Sequence, residues 1–152
     1  MSARTGLEVV TYNVSSLGTP VYTNPIGTIR EETVNLTKVL ADVTDRRANG
    51  WRLQKGTLKE GSVDAQLIYD PEDADFTDIQ TAFFADTKLP LFFSDGDATT
   101  AGTWQGLMAA FHVSEFSQPR NLEDAVVVDI SLVPDLEDTT NEAPRWHSVT
   151  VV

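Results

Sequence analysis

The sequence predicts a mainly β fold with one α-helix and one long β-hairpin. Three observations support this: several short segments alternate apolar and polar residues, one stretch has helical spacing, and a turn ending in Asn49-Gly50 separates two β-prone segments. Alternation with a period of two is typical of strands with one buried face, whereas apolar residues at i, i+3 and i+7 are typical of a helix.

The first predicted elements are a strand at 7–14 and two β-prone segments at 27–39 and 51–58. Asn-Gly is a strong turn signal, so the last two segments are predicted to form a long hairpin. A lone two-stranded hairpin is only marginally stable in water. We therefore expect this one to pack on something outside its own domain.

Three later segments, 62–69, 106–114 and 125–133, alternate clearly and define the predicted core. Their inward positions are Val63, Ala65, Leu67, Tyr69, Leu107, Ala109, Phe111, Val113, Val126, Val128, Ile130 and Leu132. The opposite positions of the last two segments include Met108, Ala110 and Val127, so their second face is only partly polar. Either a second layer of the same domain or a neighbouring subunit would explain that second apolar face.

One helix is predicted, over about residues 71–86. Phe76, Ile79 and Phe83 form its core stripe at i, i+3 and i+7, and Asp75 is the predicted N-cap. Lys88 and Pro90 mark its end. We expect this helix to cover one face of the sheet.

After the helix, a strand is predicted at 89–94 and a polar loop at 95–103. The composition changes after Pro134, where an acidic stretch precedes a β-prone segment at 146–152. Such a segment is suited to pair with an exposed sheet edge, on its own chain or on another subunit.

The composition excludes several classes of protein. A content of 41% hydrophobic and 22% charged residues is typical of a globular domain, and no apolar run is long enough to span a bilayer. The absence of cysteine excludes disulfides, thiolate metal sites and a cysteine nucleophile. Residues 1–10 lack the pattern of a secretory signal, so we expect synthesis in the cytoplasm and no membrane anchor.

The charge is unevenly distributed along the chain. The 11 basic and 23 acidic residues give a net charge of −12, yet residues 30–59 hold seven bases and four acids, or +3, which leaves −15 for the remainder. So acidic a body argues against a surface that grips nucleic acid. The split is either a solubilising surface with one basic segment, or a complementarity between a basic arm and the acidic body of the next copy.

No pattern of catalytic, cofactor-binding or metal-binding residues is found. The two histidines, His112 and His147, are far apart in sequence, and the acids at 70–75 and 95–97 do not match a calcium-binding loop. The adjacent acids Glu31–Glu32 and Glu123–Asp124 point to opposite faces if they lie in strands, which favours solvation over paired acid–base chemistry. We expect no enzyme and no cofactor.

A resemblance to a known family emerges from several motifs in a fixed order. Residues 29–36 (IREETVNL) lead into 41–52 (ADVTDRRANGWR), then 56–63 (GTLKEGSV) and 69–73 (YDPED) before the helix. Later, 105–107 (QGL), 116–117 (FS) and 122–126 (LEDAV) follow. In their order and spacing over about 20–134, these motifs resemble the tail tube proteins of long-tailed phages and prophages.

That resemblance implies a β-sandwich or barrel-like fold in which residues 1–134 form the tube domain, with a hairpin arm at about 36–58, and residues 135–152 form an acidic C-terminal extension. It also implies hexameric rings that stack into a hollow tail tube, with the tape measure and tail terminator proteins as partners. The location implied is the virion tail, after synthesis in the host bacterial cytoplasm.

The hairpin arm is implied in contacts between rings. Its candidate residues are Asp42, Thr44, Arg46, Arg47, Asn49, Gly50, Trp51 and Arg52. An acidic lumen would repel phosphate, so DNA would pass without specific binding. Contractile and non-contractile tails share the implied architecture, so the tail type stays open. Two other hypotheses also stay open: another virion assembly part (terminator, connector or decoration protein) and a small ligand-binding β-barrel.

Overall fold

The computed structural model describes residues 3–120, 122, 125–137 and 142–152. The elements in these residues are β1 (Val10–Asn13), β2 (Ile29–Asp42), β3 (Gln54–Ile68), α1 (Ala74–Phe84), β4 (Leu89–Ser94), β5 (Gly102–Ser117), β6 (Val127–Asp135) and β7 (Arg145–Val151). A short 3-10 helix, Arg46–Ala48, lies between β2 and β3. The prediction of a mainly β fold with one flanking helix and a long hairpin is confirmed.

The strands form one antiparallel sheet in the order β1-β4-β5-β6-β3-β2. Strand β5 is the longest, and it pairs along one edge with β4. Along its other edge it pairs first with β7, from Gly102 to Met108, and then with β6, from Ala110 to Ser117. Strands β6 and β7 therefore lie end to end, and the β-prone C-terminal segment joins the sheet of its own chain.

Several predicted boundaries move in the structure. The predicted strands 51–58 and 62–69 are one strand, β3, because Gly61 pairs with Leu36 and keeps the ladder with β2 unbroken. Strand β5 begins at Gly102, inside the predicted loop, and β1 is four residues long where eight were predicted. Residues 56–61 (GTLKEG) contain two glycines and a single large apolar residue, Leu58, so alternation there is weak.

One apolar cluster fills the space between α1 and the sheet. Its sheet side consists of the inward positions of β3, β4, β5 and β6, including Val63, Phe111 and Leu132, none of which is more than 1% exposed. From the helix, Phe76 and Ile79 are buried, and Phe83 is half-buried and stacks on Phe116 with ring centroids 5.7 Å apart.

A second apolar cluster lies on the opposite face of the sheet. Tyr12, Phe92 and Met108 are lateral neighbours across β1, β4 and β5, and all three are buried. Val14, Leu17 and Ala98, which follow β1 and β4 in the chain, complete this cluster. The second apolar face of β5 is thus covered by a second layer of the same domain, without a neighbouring subunit.

The helix begins later than predicted, and its N-cap is Asp73 instead of Asp75. Residues 70–73 form a turn in which the Asp73 N–H donates to the Asp70 carbonyl oxygen at 3.2 Å, so the helix starts only at Ala74. Asp75 lies in the first turn, buried against the N-terminal segment. Among the described residues, no helix is long and apolar enough to cross a membrane.

Candidate assembly surfaces

The hairpin arm, residues 36–58, has no core of its own. From residue 33 to residue 60, only Ala41 and Ala48 are even partly shielded from solvent. Seven large apolar side chains of the arm are exposed: Leu36, Val39, Leu40, Val43, Trp51, Leu53 and Leu58. The arm also carries five bases and two acids, a charge of +3. Exposed apolar residues combined with one sign of charge are typical of a surface that contacts another protein.

The tip of the arm is shaped by its own polar contacts. The Asp45 carboxylate accepts from the Arg47 backbone N–H at 2.8 Å and from its guanidinium at 2.6 and 3.0 Å, and these contacts lower the pKa of Asp45. Thr44 Oγ1 accepts from the Leu53 N–H at 2.8 Å, across the turn. Asn49 and Gly50 both have positive φ, as the turn requires.

The structure gathers the predicted arm residues at this tip but divides them into two groups. Asp42, Thr44, Asn49 and Gly50 are engaged in the turn: the Asp42 carboxylate accepts from the Thr44 N–H at 2.9 Å, and the hydrogen bonds from Thr44 lower the pKa of Asp42. The outward group consists of Arg46, Arg47, Trp51 and Arg52, of which Trp51 is 75% exposed. Of its three guanidinium groups, that of Arg47 is paired with Asp45 and that of Arg52 lies 3.5 Å from Asp42 Oδ2, whereas Arg46 forms no salt bridge within the described residues.

A second surface lies on the other side of the sheet, where four strands bring together a cluster of polar side chains flanked by the apolar Ile68 and Val133. Its carboxylates are Glu31 of β2, Asp64 of β3, Asp129 of β6 and Glu115 of β5, which the strand register places on one face. They surround a shallow depression of about 300 Å³. We call this surface the acidic sheet face.

Hydrogen bonds within the acidic sheet face hold its side chains in place. The Ser131 hydroxyl donates to Asp64 Oδ1 at 2.8 Å, and the Gln66 amide donates to Asp129 Oδ1 at 3.1 Å. Within the described part of the chain, none of the four carboxylates forms a salt bridge with a base. The face therefore presents uncompensated negative charge to whatever lies in front of it.

The sequence patterns only partly revealed the acidic sheet face. Asp64, Gln66, Asp129 and Ser131 are the outward positions of two alternating segments, so their polarity was visible. Glu31 and Glu115 join them only through the pairing of β2 with β3 and of β5 with β6, each of which contains a register shift. The other adjacent acids considered above, Glu123 and Asp124, lie outside the described residues.

Side chains suited to acid–base or metal chemistry are dispersed. His112 Nε2 lies 2.7 Å from Asp135 Oδ2, and His147 Nε2 lies 2.9 Å from the Tyr22 hydroxyl, on separate parts of the sheet. Burial and the nearby Arg145 lower the pKa of His147. No group of three or more His, Cys, Asp or Glu suited to a metal ion occurs in the described ranges.

The fold is shared with chains of several tail assemblies. A chain in the virion of a native gene transfer agent particle has a TM-score of 0.70 at 14% identity, with 95% of this chain and 99% of that chain covered. The tail of an empty gene transfer agent particle, which has C6 symmetry, gives a TM-score of 0.69 with the same identity and coverage. The SPP1 tail tube gives 0.65 at 12% identity, covering 87% of this chain and 76% of that one.

A chain of the sheath–tube complex of an extracellular contractile injection system is also similar, with a TM-score of 0.63 at 10% identity and coverage of 98% and 93%. No protein-family model matches the sequence, and no curated protein sequence matches it either. The similarity therefore lies in the fold.

Proposed function

We propose that this chain is the subunit of a tail tube: six copies close into a ring, and the rings stack into a hollow conduit for phage DNA in the virion tail. One observation carries the proposal above all others. Nearly the whole chain shares its fold with nearly the whole of a chain from a tail that has C6 symmetry. The protein then acts as a structural component without catalytic activity.

The acidic sheet face supports the second part of the proposal, which is that it lines the lumen. Its four carboxylates come from four strands and lack basic partners in the described residues. A lumen with such a wall repels the phosphate backbone, so DNA slides along it without binding. Because Thr33, Gln66 and Ser131 beside these carboxylates are also polar, this part of the face needs no protein cover.

The hairpin arm supports the third part of the proposal, a contact between rings. The arm has seven exposed apolar residues and a charge of +3, and none of the described residues of its own chain covers it. The remainder of the chain, at −15, supplies the opposite charge. A contact between different surfaces of identical copies extends into a filament when it does not close, and tube growth requires that behaviour. The tape measure and tail terminator proteins would meet the same tube at its interior and its end.

Negative-stain electron microscopy of the purified protein tests the proposal. We expect six-fold rings and tubes built from them. A protein that stays monomeric at high concentration across salt conditions would contradict it. Single closed rings that never elongate would favour a terminator, connector or decoration protein instead.

The lumen assignment has its own test, a variant with Asp64→Lys, Glu115→Lys and Asp129→Lys. We expect its tubes to retain a fluorescent DNA oligonucleotide that tubes of the native protein release, with retention lost at high salt. As a control, lysine at three exposed positions outside the acidic sheet face, the variant Glu8→Lys, Gln80→Lys and Asp86→Lys, should leave DNA release unchanged. Equal retention by both variants would contradict the lumen assignment.

A further inference from the structure

A groove on the helix side of the sheet adjoins the hairpin arm and shares Leu36 and Lys38 with it. It has a volume of about 930 Å³ and lies between the base of the hairpin arm and the β5–β7 pair, where α1 does not reach. Its apolar lining includes Leu36, Pro134 and Trp146, of which Leu36 is 55% and Trp146 61% exposed. The groove is thus an open continuation of the face that α1 covers elsewhere.

The rim of this groove is basic. Lys38 and Lys59 are directly opposite each other in the β2–β3 ladder, both exposed, and neither forms a salt bridge within the described residues. Arg145 also lines the groove but is paired with Glu142 at 3.0 Å, and Glu60 is the one acid among the lining residues. Like charges directly opposite each other in a ladder destabilise a hairpin. An acidic group bound beside the two lysines would relieve their repulsion.

The opposite end of β3 carries a surface with complementary character. Residues 70–73 (DPED), which we call the acidic turn, follow Ile68 and Tyr69, whose side chains are 38% and 37% exposed. Asp70 and Glu72 are exposed, and no salt bridge to either occurs in the part of the chain that the structure describes. Exposed apolar residues beside uncompensated acids match a groove with an apolar lining and a basic rim.

The groove and the acidic turn cannot meet within one chain. Lys59 and Ile68 are nine residues apart in a continuous strand, which separates the two surfaces by about 30 Å. At this separation, one copy can offer its groove while the next copy offers its acidic turn. A contact of this kind is heterologous and repeats from copy to copy.

We propose that the groove is the docking site for the acidic turn of a second copy of this chain. The basic tip of the arm is the less suitable occupant, because its Arg46, Arg47 and Arg52 would face Lys38 and Lys59. This inference rests on the proposed tube function, in which the second copy belongs to the next ring, and it specifies which surfaces of two rings meet.

The test uses single charge reversals in the full chain. Lys59→Glu alters the groove rim and replaces a repulsive cross-strand pair by an attractive one, so folding is not at risk. Arg30→Glu is the matched control, since Arg30 is an exposed base of the same β2–β3 hairpin that lies outside the arm and does not line the groove. Glu72→Lys alters the acidic turn without removing a side-chain hydrogen bond. Asp70 is left unsubstituted, because its carboxylate accepts a hydrogen bond from the Glu72 N–H at 3.1 Å.

The readout is the lowest concentration at which light scattering and microscopy detect tubes. We expect Lys59→Glu and Glu72→Lys each to raise it by about tenfold or more, and Arg30→Glu to change it by less than about twofold. The double variant Lys59→Glu/Glu72→Lys exchanges the two charges and should restore tube formation to within about threefold of the native protein.

Different outcomes separate the groove contact from the tube function. Tubes that form normally with Lys59→Glu, or that Arg30→Glu weakens equally, would overturn the groove contact and leave the tube function standing. Failure of the double variant to recover would also overturn the groove contact. A last outcome is that the native protein and the double variant form open chains of subunits without six-fold rings, and that both single variants lose these chains. That outcome would support the groove contact and overturn the tube function.

Discussion

Strands β2 and β3 pass through two regions of very different character. Around Val63 and Leu67, which are 0% and 1% exposed, β3 has a packed core on one face and the acidic sheet face on the other. In the hairpin arm, Leu58 of the same strand is 67% exposed, and neither face is covered. The β2–β3 ladder thus passes from a region that apolar burial stabilises into the arm. In the arm, the backbone hydrogen bonds and the turn are the stabilising contacts.

This difference in burial indicates that the core half of the hairpin serves folding and that the arm serves contacts with another molecule. Residues in the core half are constrained by packing within the chain, so their substitution affects folding. Residues in the arm make few contacts within the chain, so their apolar and basic character has consequences only when another molecule lies against them. Stability and assembly are therefore expected to respond to different sets of substitutions.

The largest contrast is expected from one substitution made in both regions. Leu132→Ala removes a side chain that is 1% exposed and leaves a cavity, which costs about 2–5 kcal/mol of unfolding free energy. Leu58→Ala should change the free energy by less than about 0.5 kcal/mol, because surface positions away from special features are tolerant. Chemical denaturation of the unassembled protein measures both values. Equal losses would show that the arm packs as tightly as the core.

Two glycines provide a second matched pair. A Cβ at Gly106 would overlap the Phe93 carbonyl oxygen of the neighbouring strand, so Gly106→Ala must displace backbone and should cost about 1–3 kcal/mol or more. At Gly56 a Cβ would contact only the flexible Lys38 side chain at 3.4 Å, and alanine there is expected to stabilise the arm slightly. Thermal unfolding distinguishes the two. A neutral Gly106→Ala would contradict the close approach of β4 and β5.

The sequence predicted the core half better than the surfaces. Alternation at 62–69, 106–114 and 125–133 reflects burial on one face, which acts locally on every second residue, and these segments lie in β3, β5 and β6 as expected. The N-cap was predicted two residues too late, at Asp75, because a buried acid that accepts from the distant Asn24 looks like a cap in sequence.

The surfaces depend on pairing between distant strands, and no local pattern carries that information. The acidic sheet face combines residues from 31 to 129, and its assembly depends on register shifts in two ladders. The opposition of Lys38 and Lys59 depends on the register of the hairpin, and the groove depends on β7 lying end to end with β6. The basic arm was recognisable from the sequence because its charge is contiguous along the chain.

A pH dependence is expected from the helix start. Burial, and next the neighbouring Asp73, raise the pKa of Asp75 above its ordinary value of 3.8. A carboxyl with a raised pKa contributes stability that is fully present below the ordinary value and is lost as the pH rises through the folded value. Asp75→Asn should therefore raise the unfolding temperature at pH 7 and flatten its dependence on pH above about 4.

The amide oxygen of the Asp75→Asn variant still accepts the Asn24 Nδ2 hydrogen bond, which is 3.2 Å long in the native chain. Glu72→Gln is the matched control, because Glu72 is exposed in the preceding turn and should leave the pH profile unchanged. An Asp75→Asn variant that is less stable than the native protein at pH 7 would show that the carboxylate is favoured in its site.

The smallest effect is expected at the cross-strand lysines, Lys38 and Lys59. A substitution there should stabilise the unassembled arm while it removes a charge that assembly is proposed to use. Lys38→Glu places opposite charges across the β2–β3 ladder and should stabilise the arm by about 0.2–1 kcal/mol. Slower hydrogen exchange of arm amides in the unassembled protein, together with an effect that fades at high salt, is the expected signature. Lys38→Met removes the repulsion without adding an attraction, so it should protect these amides to an intermediate degree. Faster hydrogen exchange of the arm amides in both variants would contradict this expectation. It would show that the two lysines stabilise the native arm instead of repelling each other.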